Sequence, residues 1–322
     1  MATFDSQELI QNLISRAQTK IKTQFMAIVA QLQRENSLDD LAELIAKNDI
    51  NGALELLDAA ANRLANTING IFLSSGASIM EALADKLDVV VSFDHVNNRA
   101  VQLMQANQLE LVTNFTAEQR LATSEALTQG VADGLNPREM ARAFRDSIGL
   151  TRNQVLAVDN YESMLENLDS SALLRELRDA RFDPTIRSAI DDDRALSPSE
   201  IERMVERYRQ RMLKYRSEVI ARTEALPAVH QASEEVTTQV VENGIADAGD
   251  VQRTWKSAHD NRVRDPEIGS KTSHRTMHNQ VRGYREAFES GAGNLLMYPG
   301  DPNAPPEDRI QCRCAVATRI SI

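Results

Sequence analysis

The sequence predicts a mainly α protein, with a helical bundle body followed by a small C-terminal α+β module. The chain has 322 residues, of which 42% are hydrophobic, so it can form two or three domains that each bury a core. Aromatic residues make up only 4%, and glycine and proline number 13 and 9, which favours helices over a β-sandwich or barrel. Apolar residues recur at helical spacing until about residue 242 and lose that regularity afterwards.

Residues 1–92 form the first predicted domain, an N-terminal helical region. Asp5 and Glu8 have the spacing of a capping box, and a single apolar stripe follows them. The stripe consists of Ile10, Leu13, Ile14, Ala17, Ile21, Phe25, Ile28 and Leu32. Further helices are predicted for residues 37–46 and 52–70. These patterns describe a helical region in which the stripe forms core or docks on a partner.

Residues 71–91 have a less regular pattern. A Ser-Ser-Gly sequence at 74–76 interrupts the helical spacing, and residues 89–91 are three β-branched valines. The stretch therefore predicts either a short strand or an irregular link before the second domain.

Residues 93–248 form the second predicted domain, the helical body. Asn136, Pro137 and Glu139 occupy the cap, the first turn and the third position that a helix start prefers. Thr116 and Thr151 each precede a glutamine by three residues, which predicts two more helix starts. Short helices joined by tight turns pack antiparallel, so these signals indicate a bundle.

A long helix is predicted to begin at Ser197 and Pro198 and to carry an apolar side through residue 219. Pro227 should kink or end this helix, because proline lacks the amide hydrogen and clashes with the preceding turn. The helix then resumes to about Glu242, and Gly244 closes it.

Residues 249–322 form the third predicted domain, called the C-terminal module below. The chain carries a net charge of −11, yet residues 250–322 hold eleven basic and nine acidic residues. Between 253 and 285 there are eight basic residues against three acidic ones. One face of the module can therefore meet phosphate or an acidic partner, or its charges are solvated or paired internally.

The cysteine pair near the end of the chain supports two interpretations. Cys312 and Cys314 alternate along a predicted strand over 310–316, so their side chains share one face. They either fill a buried apolar strand or bind one metal ion as thiolates. Zinc accepts cysteine and histidine in tetrahedral sets, and His274 offers a third ligand.

The fourth zinc ligand has three candidates, namely His259, Asp260 and His278. His274 and His278 would lie on one face of a helix, four residues apart. The glutamate that a metalloprotease places between such histidines is absent, which argues against zinc hydrolysis. A catalytic pairing of His259 with Asp260 is a further alternative, although no nucleophile can be placed beside it.

Trp255, the single tryptophan, is predicted to anchor the core of the module or an interface. Arg262 and Arg264 flank Val263 and predict a strand with two guanidinium groups on one face. They either pair with Asp260, Asp265 or Glu267, or they bind phosphate. The residues predicted to contact DNA or an acidic partner are Arg262, Arg264, Arg275 and Arg282.

Several classes of protein are not expected. No apolar run reaches the roughly 18 to 20 residues that cross a bilayer, so we expect no membrane partner. The first residues lack the charged and apolar regions of a signal peptide, which predicts synthesis in a cytosol-like compartment. Two cysteines separated by one residue cannot join distant segments, so no disulfide framework is expected.

The C-terminal module also resembles a known family. The resemblance rests on W-x-S-x-x-D-x-R-V-R at 255–264, S-H-R-x-M at 273–277, Y-P-G-D-P-x-A-P-P at 298–306 and I-x-C-R-C at 310–314. In their order and spacing these motifs resemble the phage Mu F-like minor head, or head morphogenesis, proteins. The similarity extends over roughly the last 230 residues. In this chain the loop 265–272 is longer than the usual pattern, and His278 stands where a small or acidic residue is common.

The resemblance implies a virion component rather than an enzyme. Such proteins are present in a few copies inside the phage head, near the portal vertex, and assist head assembly, DNA packaging or DNA ejection. The implied partners are the portal protein, the major capsid protein and packaged double-stranded DNA. The positions expected to carry the structural motif are Trp255, Asp260, Arg262, Arg264, His274, Cys312, Arg313 and Cys314.

Two rival functions remain open at this point. The first is a toxin-like or nuclease activity of the C-terminal module, which a pocket joining His259, Asp260 and His274 would favour. The second is a transient assembly factor that leaves the head before maturation. The module would hold together around its motif residues under either function.

Overall fold

A computed structural model gives the fold of the chain. The structure describes residues 2–35, 37–47, 50–96, 98–132, 134–258, 260 and 262–322. The helices are α1 (Gln7–Glu35), α2 (Leu38–Ala46), α3 (Ile50–Leu87), α4 (Asn98–Ala132), α5 (Pro137–Ser147), α6 (Arg152–Glu166), α7 (Asp183–Asp191), α8 (Pro198–Glu242) and α9 (Pro306–Arg309). The strands are β1 (Thr3–Asp5), β2 (Val251–Lys256), β3 (Val281–Arg282), β4 (Phe288–Glu289), β5 (Leu295–Leu296) and β6 (Ala315–Ser321). The predicted class, mainly α with a small C-terminal α+β module, is confirmed.

The first helix buries the stripe that its sequence predicted. Ile10, Ile21 and Phe25 are fully buried, and Leu13 alone among the stripe residues is half-buried. Asp5 lies before the helix and accepts the amide hydrogen of Gln7 at 2.9 Å. An apolar residue at every third or fourth position thus becomes one continuous buried face.

The break in helical spacing at residues 74–76 does not interrupt the helix. Helix α3 continues through Gly76 to Leu87, and residues 89–91 form an irregular link, which was one of the two predicted alternatives. A side chain at position 76 would lie 2.4 Å from the ring of Phe93, so glycine makes room for that ring inside the helix. The tertiary contact, rather than a break in the helix, explains the glycine.

Helix α4 likewise runs past Thr116, where a helix start was predicted. The glutamine of that pattern, Gln119, is buried and bonds to a turn instead of capping a helix. Its amide donates to the carbonyl of Ser147 at 3.1 Å and accepts the amide hydrogen of Gly149 at 2.8 Å. Gln119 therefore provides hydrogen-bond partners for the backbone groups of a buried turn.

The caps predicted at 136–139 and 151–154 are confirmed. Asn136 accepts the amide hydrogens of Arg138 and Glu139 at 3.0 Å, and Glu139 accepts that of Asn136 at 2.9 Å. Thr151 and Gln154 form the second reciprocal pair. Each cap satisfies amide groups that a helix start leaves without partners.

Helix α8 does not end at Pro227, so of the two predicted outcomes the kink stays a prediction. It forms one element from Pro198 to Glu242, and Gly244, with a φ of 69°, follows its end as predicted. The second half of α8 is buried on nearly every side. Gly300 packs so closely on Pro227 that an added Cβ would lie 2.9 Å from the proline ring. We attribute the continuity of the helix to this surrounding packing, which offsets the lost hydrogen bond.

The sheet that positions the C-terminal module contains four antiparallel strands in the order β1-β6-β2-β3. Strand β2 pairs with β6 along its whole length, from Val251 opposite Ile320 to Lys256 opposite Ala315. Strand β1 was not predicted, and it adds Thr3–Asp5 to the other edge of β6. Strands β4 and β5 form a separate hairpin.

Contacts divide the chain into two compact units. Unit 1 contains Met1–Gln24, Leu64–Glu110 and Glu218–Ile322, and unit 2 contains Phe25–Arg63 and Leu111–Ser217. The domain boundaries near residues 92 and 248 remain a prediction. Among the described residues, no helix combines the length and the apolar character that crossing a membrane requires.

Candidate metal centre

Three side chains of the C-terminal module converge on one buried point. The Sγ atoms of Cys312 and Cys314 lie 3.4 and 3.6 Å from Nδ1 of His274. All three potential ligand atoms fall within 4.8 Å of one another, and each residue is at most 2% exposed. We call these residues the His-Cys-Cys cluster. Both cysteines are free thiols.

The backbone that carries the cluster is irregular, which corrects two predictions. Cys312 and Cys314 precede strand β6 instead of lying within a strand, and Ile310 is 43% exposed. His274 lies in a bend, so no helix places it beside His278. Gln311, with a φ of 57°, reverses the chain before the cysteines. The ligands meet through loop geometry rather than through the periodicity of a strand or helix.

A buried carboxylate orients the histidine of the cluster. Nε2 of His274 lies 3.0 Å from Oδ1 of Asp308, a residue with no solvent exposure on the short helix α9. Asp308 also accepts hydrogen bonds from Asn294 at 2.7 Å and Ser290 at 3.3 Å, both in the β4–β5 hairpin. An imidazole that donates from Nε2 presents the lone pair of Nδ1 to the sulfurs. This arrangement is the carboxylate–histidine pair that commonly supports a metal ligand.

Sequence reasoning missed Asp308, although a signal for it existed. A histidine that binds metal usually donates its other ring nitrogen to a carboxylate, and Asp308 lies four residues before Cys312. Burial by itself would raise the pKa of Asp308, but hydrogen bonds from Thr272, Asn294 and His274 outweigh it and hold the pKa below its usual range. The carboxylate is thereby kept ionised.

The two thiols have opposite shifts in pKa. A hydrogen bond from Cys314 lowers the pKa of Cys312 well below its ordinary value, against burial and with help from His274. The same interaction raises the pKa of Cys314, and burial adds to that increase. Cys312 is therefore the first thiolate of the pair, with the Cys314 thiol as its donor. The thiolate is the form of cysteine that binds metals.

Trp255 packs over the cluster, as the core prediction required. It is fully buried, and its ring meets the His274 ring edge to face at 5.6 Å and Phe288 at 5.3 Å. Its indole N–H has no hydrogen-bond acceptor among the described oxygen and nitrogen atoms. Its interaction with Cys314 acts to lower the pKa of that thiol, opposing the larger effects of Cys312 and burial. Trp255 thus joins the sheet to the cluster.

The fold brings together the motifs at 255–264, 273–277 and 310–314. Comparison with protein families matches the same stretch, over residues 194–317, to the family described as Phage Mu protein F like protein. Residues 194–317 are similar to this Mu F-like family. Neither a curated protein nor a solved structure matches the chain. The predicted family resemblance is confirmed, and the family suggests a phage head morphogenesis protein.

The arginines of the Mu F-like segment are held by other groups of the same chain. Arg262 pairs with Asp260 at 3.5 Å, and Arg313 pairs with the same carboxylate at 2.8 Å. Arg264 donates to the carbonyl of Ile310, which joins the 255–264 motif to the cysteine motif. No strand forms across 262–264, so the predicted alternation of guanidinium groups is wrong.

Two further arginines were predicted to contact DNA or an acidic partner. Arg275 lies 3.8 Å from a carboxylate oxygen of Asp265. Arg282 donates to the carbonyls of Ala287 at 2.8 Å and Val281 at 2.9 Å. These contacts support internal pairing, and an external contact by Arg262, Arg264, Arg275 or Arg282 stays a prediction.

The candidates for a fourth metal ligand lie apart from the cluster or outside the described residues. Asp260 is paired with Arg313, and His278 uses Nδ1 to accept the amide hydrogen of Ser257 at 3.2 Å. Neither joins the group of converging ligand atoms. His259 is outside the described residues. The described part of the Mu F-like segment therefore supplies three ligands from one histidine and two cysteines.

A second buried polar pair connects the sheet of the module to helix α8. Arg253, on β2, is fully buried, pairs with Glu234 of α8 at 2.8 Å and donates to the carbonyls of Glu286 and Met297. Burial raises the pKa of Glu234 to about 7, against the lowering effect of Arg253. Sequence analysis missed this pair, because nothing in the local sequence distinguishes Arg253 from a surface arginine.

Proposed function

We propose that the protein is a minor head protein of a tailed phage, located inside the capsid near the portal vertex. There it would assist head morphogenesis, DNA packaging or DNA ejection. The observation that carries this proposal is the Mu F-like match over residues 194–317, which covers every motif residue that the structure gathers around the cluster. The role is structural and interactive rather than enzymatic.

The proposed partners are the portal protein, the major capsid protein and packaged double-stranded DNA, with few copies of the chain in each virion. The protein would be made in the host cytoplasm and incorporated during head assembly. The acidic charge of the whole chain, −11, favours contact with DNA through a local basic face only.

We also propose that the His-Cys-Cys cluster binds zinc and so stabilises the C-terminal module. Two thiolates and an imidazole form a ligand set that zinc prefers. Ligand atoms of a tetrahedral zinc site lie about 3.5 Å apart where nitrogen faces sulfur, given Zn–N near 2.0 and Zn–S near 2.3 Å. The observed separations of 3.4 and 3.6 Å fit that spacing.

The orientation and protonation of the three ligand groups also fit zinc. His274 presents Nδ1 to the sulfurs because Asp308 holds Nε2, so the ring needs no rearrangement to bind. Burial lowers the pKa of His274, but its contacts with Cys312 and Asp308 outweigh burial and raise that pKa. Zinc binding therefore displaces the remaining thiol proton and any proton on Nδ1 of His274, because the ligands are thiolates and a neutral imidazole. A zinc ion at this point would connect the 273–277 and 310–314 motifs, which no disulfide joins.

Mass spectrometry of purified virions and of capsid precursors tests the proposed role. A minor head protein should be present in both preparations, at a few copies relative to the major capsid protein. Presence in precursors and loss from finished virions would instead identify a transient assembly factor. Cryo-electron microscopy of the virion without imposed icosahedral symmetry should then place the protein at the portal vertex. Density at other vertices or on the outer surface would contradict the proposed location.

Metal analysis of the purified protein tests the zinc proposal. We expect about one equivalent of zinc per chain, because the three residues form a single cluster. The double variant Cys312→Ser/Cys314→Ser should lose the metal while unit 2 keeps its helical signal. A metal-free protein whose thiols stay buried and unreactive would refute zinc binding and leave the head-protein proposal intact.

A further inference from the structure

A cavity of about 310 Å³ lies beside the His-Cys-Cys cluster. Residues of α1, the second half of α8, the end of β2 and the segment before β6 line it, and both Cys312 and Cys314 reach its wall. All of these residues belong to unit 1. Its volume is at the lower limit of ordinary ligand pockets, so it suits a small group rather than an extended surface.

The wall of this cavity is basic. Arg222, Lys256 and Arg313 contribute three cationic side chains, and none of the residues lining the cavity in the described part of the chain is acidic. Three positive charges in a confined space favour an anion, because low-dielectric walls strengthen the attraction. The chain as a whole carries a net charge of −11, so the basic cavity wall has the opposite sign to the net charge of the chain.

Two of these cations donate hydrogen bonds to side-chain amide oxygens. Lys256 donates to the amide oxygen of Asn279 at 3.0 Å and has no acidic partner among the described residues. Arg222 donates to the amide oxygen of Gln311 at 3.1 Å. These hydrogen bonds hold both side chains at the wall of the cavity.

Arg313 offers the most specific donor. One end of its guanidinium pairs with Asp260 at 2.8 Å, which fixes the plane of the group. The side chain as a whole is 23% exposed and forms part of the cavity wall, so its guanidinium can also donate to a ligand in the cavity.

We propose that this cavity binds a phosphate group through Lys256, Arg313 and Arg222. Tetrahedral phosphate oxygens can accept from a fixed guanidinium and an ammonium at once. The chemistry is shared by inorganic phosphate and by a single phosphodiester of a nucleic acid backbone. The inference rests on the proposed contact with packaged DNA and deepens it. It is independent of the zinc proposal, because the cationic residues are present whether or not the cluster holds metal.

Isothermal titration calorimetry of the full chain tests the phosphate site. One sample is titrated with inorganic phosphate and another with a thymidine dinucleotide, which carries one phosphodiester. Lys256→Gln should weaken binding of the preferred ligand at least tenfold, as expected for a lost charged hydrogen bond. Lys271→Gln is the matched control, since Lys271 is exposed and lies outside the cavity wall. It should bind as the unaltered chain does.

Arg313→Lys provides a second variant, which keeps the positive charge and removes the guanidinium group that can donate two parallel hydrogen bonds. We expect it to bind more weakly than the unaltered chain while its circular dichroism stays unchanged. Preference for phosphate or for the dinucleotide identifies the source of the ligand, and either preference supports the site. Absence of saturable binding by the folded chain to both ligands would overturn the proposal, as would equal affinity of Lys256→Gln and the unaltered chain.

The zinc proposal and the phosphate proposal fail separately. Lys256→Gln and Lys271→Gln retain His274, Cys312 and Cys314, so their zinc content should equal that of the unaltered chain. If the chain contains zinc and binds no phosphate, only the phosphate proposal is refuted. If the chain binds phosphate and contains no zinc, only the zinc proposal is refuted.

Discussion

Unit 2 and the C-terminal module differ in how much of their interior is polar. In unit 2 Phe144 is fully buried and Tyr161 stacks on Tyr208 at 4.4 Å, and a smaller set of polar residues that includes Gln119, Asp179 and Arg216 is buried among such groups. In the module the interior includes Arg253, His274 and Asp308, each at most 1% exposed. An apolar interior tolerates exchange of one hydrophobic group for another, whereas a buried polar group needs its own partner. The module should therefore depend on single residues more strongly than unit 2 does.

The largest expected effect is that of His274→Ala. Removal of the imidazole leaves the Asp308 carboxylate buried without its ring partner and removes one of the proposed metal ligands. We expect the free energy of unfolding of the module to fall by about 3 to 5 kcal/mol. Urea denaturation followed by tryptophan fluorescence measures this change, because the only tryptophan, Trp255, packs on the His274 ring.

His278→Ala is the matched control for this comparison. His278 lies four residues away and does not join the cluster. Its replacement should leave the metal content of the chain unchanged. Equal loss of metal in both variants would show that the cluster does not bind through His274.

A glycine of unit 2 gives the next largest effect. Gly149 has a φ of 85°, and a Cβ there would lie 2.6 Å from Val29. Gly149→Ala should lower the free energy of unfolding by about 2 to 4 kcal/mol, since it combines backbone strain with overpacking. Gly134→Ala separates the two causes, because Gly134 has a φ of 70° and nothing within 4 Å of an added Cβ.

For Gly134→Ala we expect only the backbone cost, about 1 to 2 kcal/mol. Thermal unfolding monitored by circular dichroism at a helical wavelength measures both variants. The metal content should stay the same in each. A Gly149→Ala chain that also loses metal would break the distinction between the two regions.

Asp308→Asn tests the orienting carboxylate without removing a ligand. Asparagine has nearly the same shape but no negative charge, so His274 loses its charged partner. Affinity for zinc should fall about 10- to 100-fold. Competition with a chromophoric chelator measures the affinity. Unchanged affinity would mean that Asp308 supports the fold without tuning the histidine.

The smallest effect is expected at a helix cap of unit 2. Asn136→Ala removes the acceptor for two amide hydrogens at the start of α5 and should cost about 1 kcal/mol. Asn136→Gly should cost only about 0.3 kcal/mol, because glycine is tolerated at a cap. Thermal unfolding again reports the difference, and a larger loss for glycine than for alanine would contradict the capping explanation.

The parts of the fold that sequence predicted are those that local rules specify. The stripe of α1, the cap at Asn136 and the glycine after α8 each follow from a few neighbouring residues. Gly76 and Thr116 misled the prediction because their environments are set by distant residues. Gly76 faces Phe93, and the glutamine after Thr116 bonds to a turn near residue 148.

The candidate site was predicted in composition but not in geometry. His274, Cys312 and Cys314 were identified from residue type and motif, and the structure brings them together. The predicted strand and helix that would have carried them are wrong, since loops carry them instead. Asp308 and Arg253 escaped notice because a buried charge is recognisable only once its partners are known.

The pairing of β1 with β6 joins residues that are 318 positions apart, such as Thr3 and Ser321. A contact of this span is slow to form, because the ends must find each other across a long flexible chain. Strand β1 is made before β6, so its edge stays unpaired during synthesis until β6 has emerged from the ribosome. An exposed strand edge is a template for pairing with another chain, so premature association between nascent copies is the hazard built into this topology.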